Sequence, residues 1–228
     1  MADRWLRQRR EDPYWKAAKR TGFRSRAAYK LQQIAARYGV LRRGFVVVDL
    51  GAAPGGWAQV ALSAVGEAGV VVAVDLSRIR ALPGARVVRG DVTRGETIEE
   101  VRRQVREARG VARDGADVVL SDMAPNISGI YSVDQARSVA LARTALQAAG
   151  GLLRPGGHLV VKVFEGEDFA RLVASVRAQF GFVKVYSPPA SRKQSSEVYI
   201  VAKGYRPGGR RGRGGRRSRP VREVEEEE

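Results

Sequence analysis

Cysteine is absent from the 228 residues of the chain, and histidine occurs once, as His158. The missing thiol excludes a disulfide framework, thiolate zinc sites and every mechanism with a cysteine nucleophile. A single imidazole argues against a histidine-based triad and a histidine-rich metal centre, so we expect no bound metal. Any catalysis must therefore use Lys, Asp, Glu, Tyr or Ser side chains, or a bound cofactor.

Long hydrophobic runs are also missing. No stretch approaches the ~18 apolar residues that a membrane-spanning helix requires, and no apolar run of the kind found in a secretory signal follows the charged residues 1–10. We therefore expect a cytoplasmic protein with no membrane partner. Hydrophobic residues still make up 44% of the sequence, which is enough for one ordinary domain with a substantial core.

Acidic residues are scarce: 24 Asp and Glu stand against 41 Lys and Arg, a net charge of +17. Residues 1–43 carry +10 and residues 203–222 carry +9, residues 44–202 carry only +3, and residues 223–228 add five acids. Two strongly basic segments at the ends of a nearly neutral central region indicate a polyanionic partner, and we expect this partner to be RNA. The alternative is that the arginines reflect base composition or a thermophilic surface.

Composition divides the chain into three parts. We predict a basic N-terminal segment at 1–23, a folded domain at 24–205 and a tail at 206–228. The Arg/Gly-rich sequence of the tail, RPGGRRGRGGRRSRPVR, has too few apolar residues to form a hydrophobic core. We therefore predict that the tail, including its acidic end, is disordered. Such segments bind RNA without sequence preference, so both basic parts are candidates for RNA contact.

Short β-branched runs alternate with helical patterns along the middle of the chain. Several runs are continuously apolar, which indicates strands covered on both faces. Before the first of them, we expect Ser25 to cap a helix that ends at Tyr38. The alternation predicts an α/β fold with a mainly parallel sheet, and the short connection between the last two runs predicts an antiparallel hairpin. The seven predicted strands are residues 46–50, 70–76, 86–92, 117–122, 158–164, 183–187 and 197–201.

Glycines or acids lie at the ends of the first three strands, at the edge where parallel sheets bind ligands. The first strand leads into DLGAAPGGW, whose glycines let the backbone approach a ligand. Asp75, at the end of the second strand, suits a ribose diol, and Asp91, at the end of the third, suits an adenine edge. Together these positions predict an adenosine-type nucleoside site; the alternative is a structural turn with two helix-capping acids. The glycines concerned are Gly51, Gly55 and Gly56.

The fourth strand ends in SDMAPN, which contains Asp122. Over residues 14–205 the sequence resembles the FtsJ/RrmJ-type (RlmE-like) ribose 2'-O-methyltransferases. The motifs that carry the resemblance are SDMAPN together with RSRAAYKL, GAAPGGW, VKVFEG and SSEVYIVAKGY. The resemblance implies a Rossmann-like class I methyltransferase fold, with a mainly parallel seven-stranded sheet, a C-terminal antiparallel hairpin and helices on both faces. It also implies S-adenosylmethionine as cofactor and a uridine of large-subunit ribosomal RNA as substrate, with tRNA as the alternative. We expect a monomer.

The same motifs imply roles for individual residues. The resemblance assigns a catalytic tetrad to Lys30, Asp122, Lys162 and Glu197. It assigns the methyl-donor contacts to Gly55, Trp57, Asp75, Asp91 and Asp122. The composition supports the two lysines, because arginine outnumbers lysine by 34 to 7 and a generic basic position would usually be arginine. The structural alternatives are an ion pair for Lys162, an RNA-contacting surface lysine for Lys30 and an edge-strand carboxylate for Glu197.

The expected reaction is in-line attack of a ribose hydroxyl on the methyl group, so the protein mainly has to position and deprotonate that hydroxyl. Lys162 is the candidate base, since lysine can lose its proton whereas arginine in effect cannot. Asp122 and Glu197 nearby would hold a proton on Lys162, while Lys30 and desolvation would oppose them. Alternatively, Lys162 stays protonated and stabilises a developing alkoxide while an acid takes the proton.

Other functions match these residues less well. Cysteine-dependent base methylation is excluded, amino-group methylation expects an aromatic residue that SDMAPN lacks, and the glycine spacing disfavours an NAD enzyme. A non-catalytic RNA-binding factor in ribosome assembly, with a vestigial donor site, is the alternative from another class. The basic N-terminal block, residues 1–43, includes Lys30. This predicts RNA docking at the mouth of the site, with the tail as a separate contributor.

Overall fold

The computed structural model describes residues 12–109, 115–192 and 195–208. The disorder predicted for the tail concerns mainly residues 209–228, which lie outside the described residues, as do residues 1–11. The helices described are α1 (Pro13–Thr21), α2 (Ala27–Tyr38), α3 (Gly56–Val65), α4 (Gly95–Arg109), α5 (Tyr131–Leu152) and α6 (Phe169–Gln179). The strands are β1 (Val46–Leu50), β2 (Val70–Asp75), β3 (Ala85–Arg89), β4 (Ala116–Ser121), β5 (Leu153–Phe164), β6 (Phe180–Tyr186) and β7 (Glu197–Tyr205).

These strands form one sheet in the order β3-β2-β1-β4-β5-β7-β6. The pairs from β3 to β5 are parallel, whereas β7 is antiparallel to both β5 and β6. The predicted α/β class, the seven-stranded, mainly parallel sheet and the C-terminal hairpin are confirmed, and β7 is inserted between β5 and β6. Because β1 to β5 run the same way, their carboxyl ends meet at one edge of the sheet, which brings the predicted acids together.

Helices cover both faces of the sheet. Along β1 the buried side chains alternate: Val46, Val48 and Leu50 pack in the core that includes α4, α5 and α6, whereas Val47 packs with α2 and α3. The two-residue period of a strand fixes this division, because a slip of one residue would exchange the two faces. Among the helices described, none has both the length and the apolar composition of a transmembrane segment.

The first two helices begin in different ways. Asp12 caps α1, with Oδ1 accepting hydrogen bonds from the backbone N–H groups of Tyr14 and Trp15 at 3.0 and 3.1 Å. The cap predicted for Ser25 is wrong, because α2 begins at Ala27 without a side-chain cap. The Ser25 hydroxyl instead packs against Gly56, where an added β-carbon would lie 2.2 Å from it. Ser25 therefore ties the start of α2 to the start of α3.

Candidate active site

A cavity of about 410 Å³ lies at the carboxyl ends of β1, β2, β3 and β4. Its volume is in the range of small-molecule sites, ~300–1,000 Å³. Part of its wall is apolar, formed by residues such as Leu76, Val92 and Met123. Four of the residues predicted to bind the donor line it together: Gly51, Asp75, Asp91 and Asp122. The structure therefore gathers the ends of four strands around one cavity of nucleoside size.

Asp75 and Asp91 both accept hydrogen bonds that fix the orientation of their carboxylates. Asp75 accepts hydrogen bonds from the backbone N–H groups of Ala53, at 2.9 Å, and Ser77, at 2.7 Å. Asp91 Oδ1 accepts from the backbone N–H and the hydroxyl of Thr93, at 2.9 and 2.7 Å. These bonds, the backbone one first, hold the pKa of Asp91 below its ordinary value. Two oriented carboxyl groups are thus available as acceptors for hydroxyl or amino groups of a ligand.

The glycine turn between β1 and α3 is shaped by close contacts. Gly51 has a φ of +73°, and a β-carbon there would lie 2.4 Å from Cγ of Met123. Gly55 has a φ of +111° and lies under the side chain of Arg24, while Gly56 is covered by Ser25. Of the three predicted glycines, Gly51 lines the cavity and Gly55 and Gly56 do not. Donor contacts by the backbone of Gly55 and Gly56 remain a prediction.

Trp57, at which we predict a donor contact, has its side chain outside the cavity. Its side chain is buried and does not line the cavity. The indole N–H donates to the carbonyl oxygen of Ala27 at 2.8 Å, and the ring lies 5.6 Å from the ring of Tyr199. The indole therefore joins α2 to β7 rather than reaching the cavity, and a donor contact at this position is left to the backbone N–H.

Lys162 and Asp122 form an ion pair at the ends of the adjacent strands β5 and β4. Lys162 Nζ lies 3.0 Å from Asp122 Oδ1 and donates to the Asp122 carbonyl oxygen at 2.5 Å. The lysine side chain is 7% exposed. Since Asp122 also lines the cavity, this pair connects the cavity to a buried lysine.

Lys30 and Glu197 form a second ion pair. Both side chains are largely buried, and Lys30 Nζ lies 5.7 Å from the centre of the Tyr199 ring. Glu197 and Tyr199 are two residues apart on β7, so they share a face of that strand. The structure therefore groups the predicted tetrad as two pairs beside Tyr199, with Lys162 paired to Asp122 and Lys30 paired to Glu197.

Tyr199 belongs to this site and was missed at the sequence level. It is fully buried, and its hydroxyl donates to Asp122 Oδ1 at 2.8 Å. Burial, followed by the charges of Asp122 and Glu197, raises the pKa of Tyr199 well above its ordinary value, so it stays a donor. The available signal was its position two residues after Glu197, on the same face of a strand.

Asp49 was also missed. It interrupts the apolar run VVVDL of β1 and is fully buried. Burial, and then the charges of Asp122 and Asp75, raise the pKa of Asp49 well above its ordinary value. An acid within a buried strand was the signal that pointed to it. Ionising Asp49 in the folded chain would therefore cost stability, and the charges of Asp122 and Asp75 add to that cost.

Comparison with known proteins gives a consistent picture. Residues 23–205 match the model of the FtsJ-like methyltransferase family. The chain is 54% identical over 196 residues to a ribosomal RNA large subunit methyltransferase E of Halorubrum lacusprofundi, covering 85% of this chain and 71% of the relative. It is 42% identical over 209 residues to the protein of the same name in Methanobrevibacter smithii, covering 91% and 96%.

A solved structure shares the fold. The crystal structure of a putative ribosomal RNA methyltransferase from Plasmodium falciparum superposes with a TM-score of 0.70 at 25% sequence identity. The match covers 80% of this chain and 98% of that one.

Proposed function

The chain belongs to the FtsJ-like methyltransferase family, and on that basis we propose that it methylates a ribose 2'-hydroxyl of large-subunit ribosomal RNA with S-adenosylmethionine as donor. One observation carries the proposal: Asp122 lines the nucleoside-sized cavity and also pairs with the buried Lys162. The proposed binding cavity for the methyl donor therefore lies beside Lys162, which can take the proton of the ribose hydroxyl that accepts the methyl group. The relatives named for large-subunit ribosomal RNA supply the substrate class.

The cavity fits the donor in size and in chemistry. Asp75 and Asp91 present fixed acceptors, which suit ribose hydroxyl groups and an adenine amino group. The first N–H groups of α3, at Gly56 and Trp57, would hold the carboxylate of the donor, because a helix leaves these groups without intrahelical partners. When bound, S-adenosylmethionine supplies a methyl group already activated on a sulfonium.

Lys162 receives the proton of the ribose hydroxyl in this proposal. Lys162 acts in this role as the neutral amine, after its own proton has passed to solvent. The amine keeps two N–H donors, which face the carbonyl and carboxylate oxygens of Asp122, and its lone pair takes the proton of the ribose hydroxyl. Lysine can lose one proton and accept another in this way, whereas arginine in effect cannot.

The other members of the site position these groups. Tyr199 donates to the same oxygen of Asp122 that pairs with Lys162 and so fixes the carboxylate. The pair of Lys30 and Glu197 lies beside the Tyr199 ring, with Lys30 Nζ 5.7 Å from the ring centre, and there we place the sugar and backbone of the substrate. Lys30 also belongs to the basic N-terminal block, which we expect to contact the RNA near the site. The contribution of the tail and a monomeric state remain predictions.

The proposal is tested by incubating the full chain with methyl-labelled S-adenosylmethionine and large-subunit ribosomal RNA from a strain that lacks the protein. We expect label in the RNA and, after digestion to nucleosides, on a ribose. RNA from the parent strain is the matched control and should accept far less label, because its site is already methylated. Label confined to tRNA would contradict the substrate class. Binding of S-adenosylmethionine without methyl transfer to any RNA would contradict the proposal and favour a non-catalytic RNA-binding factor in ribosome assembly.

A further inference from the structure

Asp12 is one of only three acidic residues in the basic N-terminal block. Asp12 is only 8% exposed. One of its oxygens, Oδ1, accepts the two backbone hydrogen bonds that cap α1. The other, Oδ2, contacts the guanidinium groups of Arg26 and Arg192. Asp12 therefore has two separable tasks: it caps a helix with one oxygen and holds two arginines with the other.

The two arginines are held to different degrees. Arg26 is mostly buried and bonds both Asp12 Oδ2 and the carbonyl oxygen of Ala190. Arg192 approaches Asp12 Oδ2 through Nε at 3.7 Å, and its side chain is 52% exposed. An ion pair of that length on an exposed arginine adds little stability. The contact instead orients Arg192, because it places the guanidinium groups of Arg192 and Arg26 beside the same oxygen, Asp12 Oδ2.

The arginines face a cavity that adjoins the candidate active site. Arg26, Arg192 and Ser195 line a space of about 200 Å³ together with the ion pair of Lys30 and Glu197. Three cationic groups meet two carboxylates here, so the cluster keeps a net positive charge around a small polar cavity. Arg26 and Arg192 also line a neighbouring cavity of about 580 Å³, which reaches Trp15 and Phe23.

Two polar atoms of this cluster are left without partners. Arg26 Nε and Ser191 Oγ are buried and have no hydrogen-bond partner within the part of the chain that the structure describes. Ser191 directly follows Ala190, whose carbonyl oxygen accepts from Arg26. Buried donors without acceptors are costly, and they are uncommon unless a ligand or ordered solvent completes them. Arg26 lines both cavities, whereas Ser191 lines neither, so a ligand with acceptor oxygens in these cavities would complete the hydrogen bonds of Arg26.

We propose that Asp12 holds Arg26 and Arg192 as a clamp for a backbone phosphate of the substrate RNA. The inference rests on the proposed function, because a ribose 2'-hydroxyl within an RNA chain neighbours the 3'-phosphate of the same nucleotide. A site for that phosphate must therefore lie beside the catalytic pair, as the small cavity does. Planar guanidinium groups bind phosphate through paired N–H donors. Asp12 is a positioning residue, since it acts through the arginines.

Asp12→Asn gives the sharpest test, because the clamp and general electrostatics predict opposite changes in RNA affinity. Asparagine caps a helix about as well as aspartate, so α1 should keep its cap while the arginines lose their anionic anchor. A clamp predicts RNA affinity weaker by about threefold or more, whereas general electrostatics predicts tighter binding once a negative charge is removed. The measurement is fluorescence anisotropy of a labelled single-stranded RNA of mixed sequence with the full chain. Tighter or unchanged binding by Asp12→Asn would overturn the proposal.

Arg192→Gln provides a second test that does not depend on the fold, because this side chain is largely exposed. We expect RNA affinity about tenfold weaker, and a plot of log affinity against log salt shallower by about one unit. Arg171→Gln is the matched control, since Arg171 is 82% exposed and lies on α6 outside the cluster. Equal effects of the two substitutions would show that only net charge matters and would contradict the clamp.

The outcomes separate the clamp from the proposed function. Binding of S-adenosylmethionine should be the same in wild type, Arg192→Gln and Arg171→Gln, since neither arginine lines the donor cavity. If the chain methylates RNA but Arg192→Gln leaves the KM for RNA unchanged, the clamp is wrong and the function stands. If no RNA is methylated while Arg192→Gln still weakens RNA binding more than Arg171→Gln does, the function is wrong and the phosphate site stands.

Discussion

The ammonium group of Lys162 lies 3.0 Å from Oδ1 of Asp122 and donates a second hydrogen bond, of 2.5 Å, to the Asp122 carbonyl oxygen. The contact follows from the topology, because β4 and β5 are parallel neighbours with Ser121 opposite Val161, and the two residues come next. Asp122 thus reaches the donor cavity on one side and the lysine on the other.

Asp122→Asn should remove most of the methyl transfer. The amide cannot supply the negative charge that faces Lys162, and general acid–base arrangements of this kind contribute ~10²-fold or more. We expect a loss of about that size in single-turnover transfer of labelled methyl to RNA. Asp168→Asn is the control, because Asp168 forms an exposed ion pair with Arg171 on α6. Transfer within about threefold of wild type in Asp122→Asn would contradict the assigned role.

Lys30 and Glu197 should be energetically coupled. Their side chains are 11% and 12% exposed, and breaking a largely buried pair leaves a charge without its partner. In a double-mutant cycle with Lys30→Met and Glu197→Gln, we expect a coupling of about 1–3 kcal/mol in the free energy of unfolding, measured in urea. The same cycle on Arg171 and Asp168 should give about 0.5 kcal/mol or less. Additive effects at Lys30 and Glu197 would show that the two are not paired.

Asp49 should make stability decrease as pH rises. Burial and the charges of Asp122 and Asp75 raise its pKa in the folded chain, so between about pH 4, the ordinary value, and the raised value the folded chain binds a proton that the unfolded chain has lost. Asp49→Asn removes this titration. Its free energy of unfolding relative to wild type should therefore increase from about pH 4 toward neutrality, as measured in urea. A difference that does not change with pH would contradict the buried, protonated state.

His158 should titrate below its ordinary range. Burial is the main cause that lowers its pKa, and the charges of Lys203, Arg154 and Arg42 add to it. Because it is the only histidine, its imidazole NMR signals need no assignment by mutagenesis. We expect a midpoint below about 6.5, and hence stability lost as pH falls through the interval between the unfolded and folded pKa values. A midpoint at or above 6.5 would be incompatible with the packing beside Phe45.

Residues whose roles depend on strand ends could be predicted from the sequence. Asp75 and Asp91 follow apolar runs, and the parallel order of those runs brings their carboxyl ends to one edge, so a common cavity was foreseeable. The tetrad positions came from a resemblance in motifs, and the structure places them together as two ion pairs. The periodicity of the sequence could not predict which lysine pairs with which carboxylate, because these ion pairs depend on contacts between side chains of different elements.

Three other residues show where sequence reasoning ended. Trp57 lies in the glycine motif, but packing between α2 and β7 turns its indole away from the cavity. Tyr199 acts through a bond to Asp122, a partner 77 residues away in sequence. Asp12 contacts Arg192 only because the loop before β7 folds back on α1. Each role is set by a contact between distant segments, which local pattern does not encode.

The most direct measurement of the central claim is single-turnover methyl transfer by Lys162→Arg, with binding of S-adenosylmethionine measured on the same protein. Arginine keeps the positive charge and can still pair with Asp122, but in effect it cannot accept a proton. If Lys162 takes the proton of the ribose hydroxyl, transfer should fall by ~10²-fold or more while donor affinity stays within about twofold of wild type. Transfer at near wild-type rates with donor binding intact would contradict the account and leave Lys162 as a charge stabiliser.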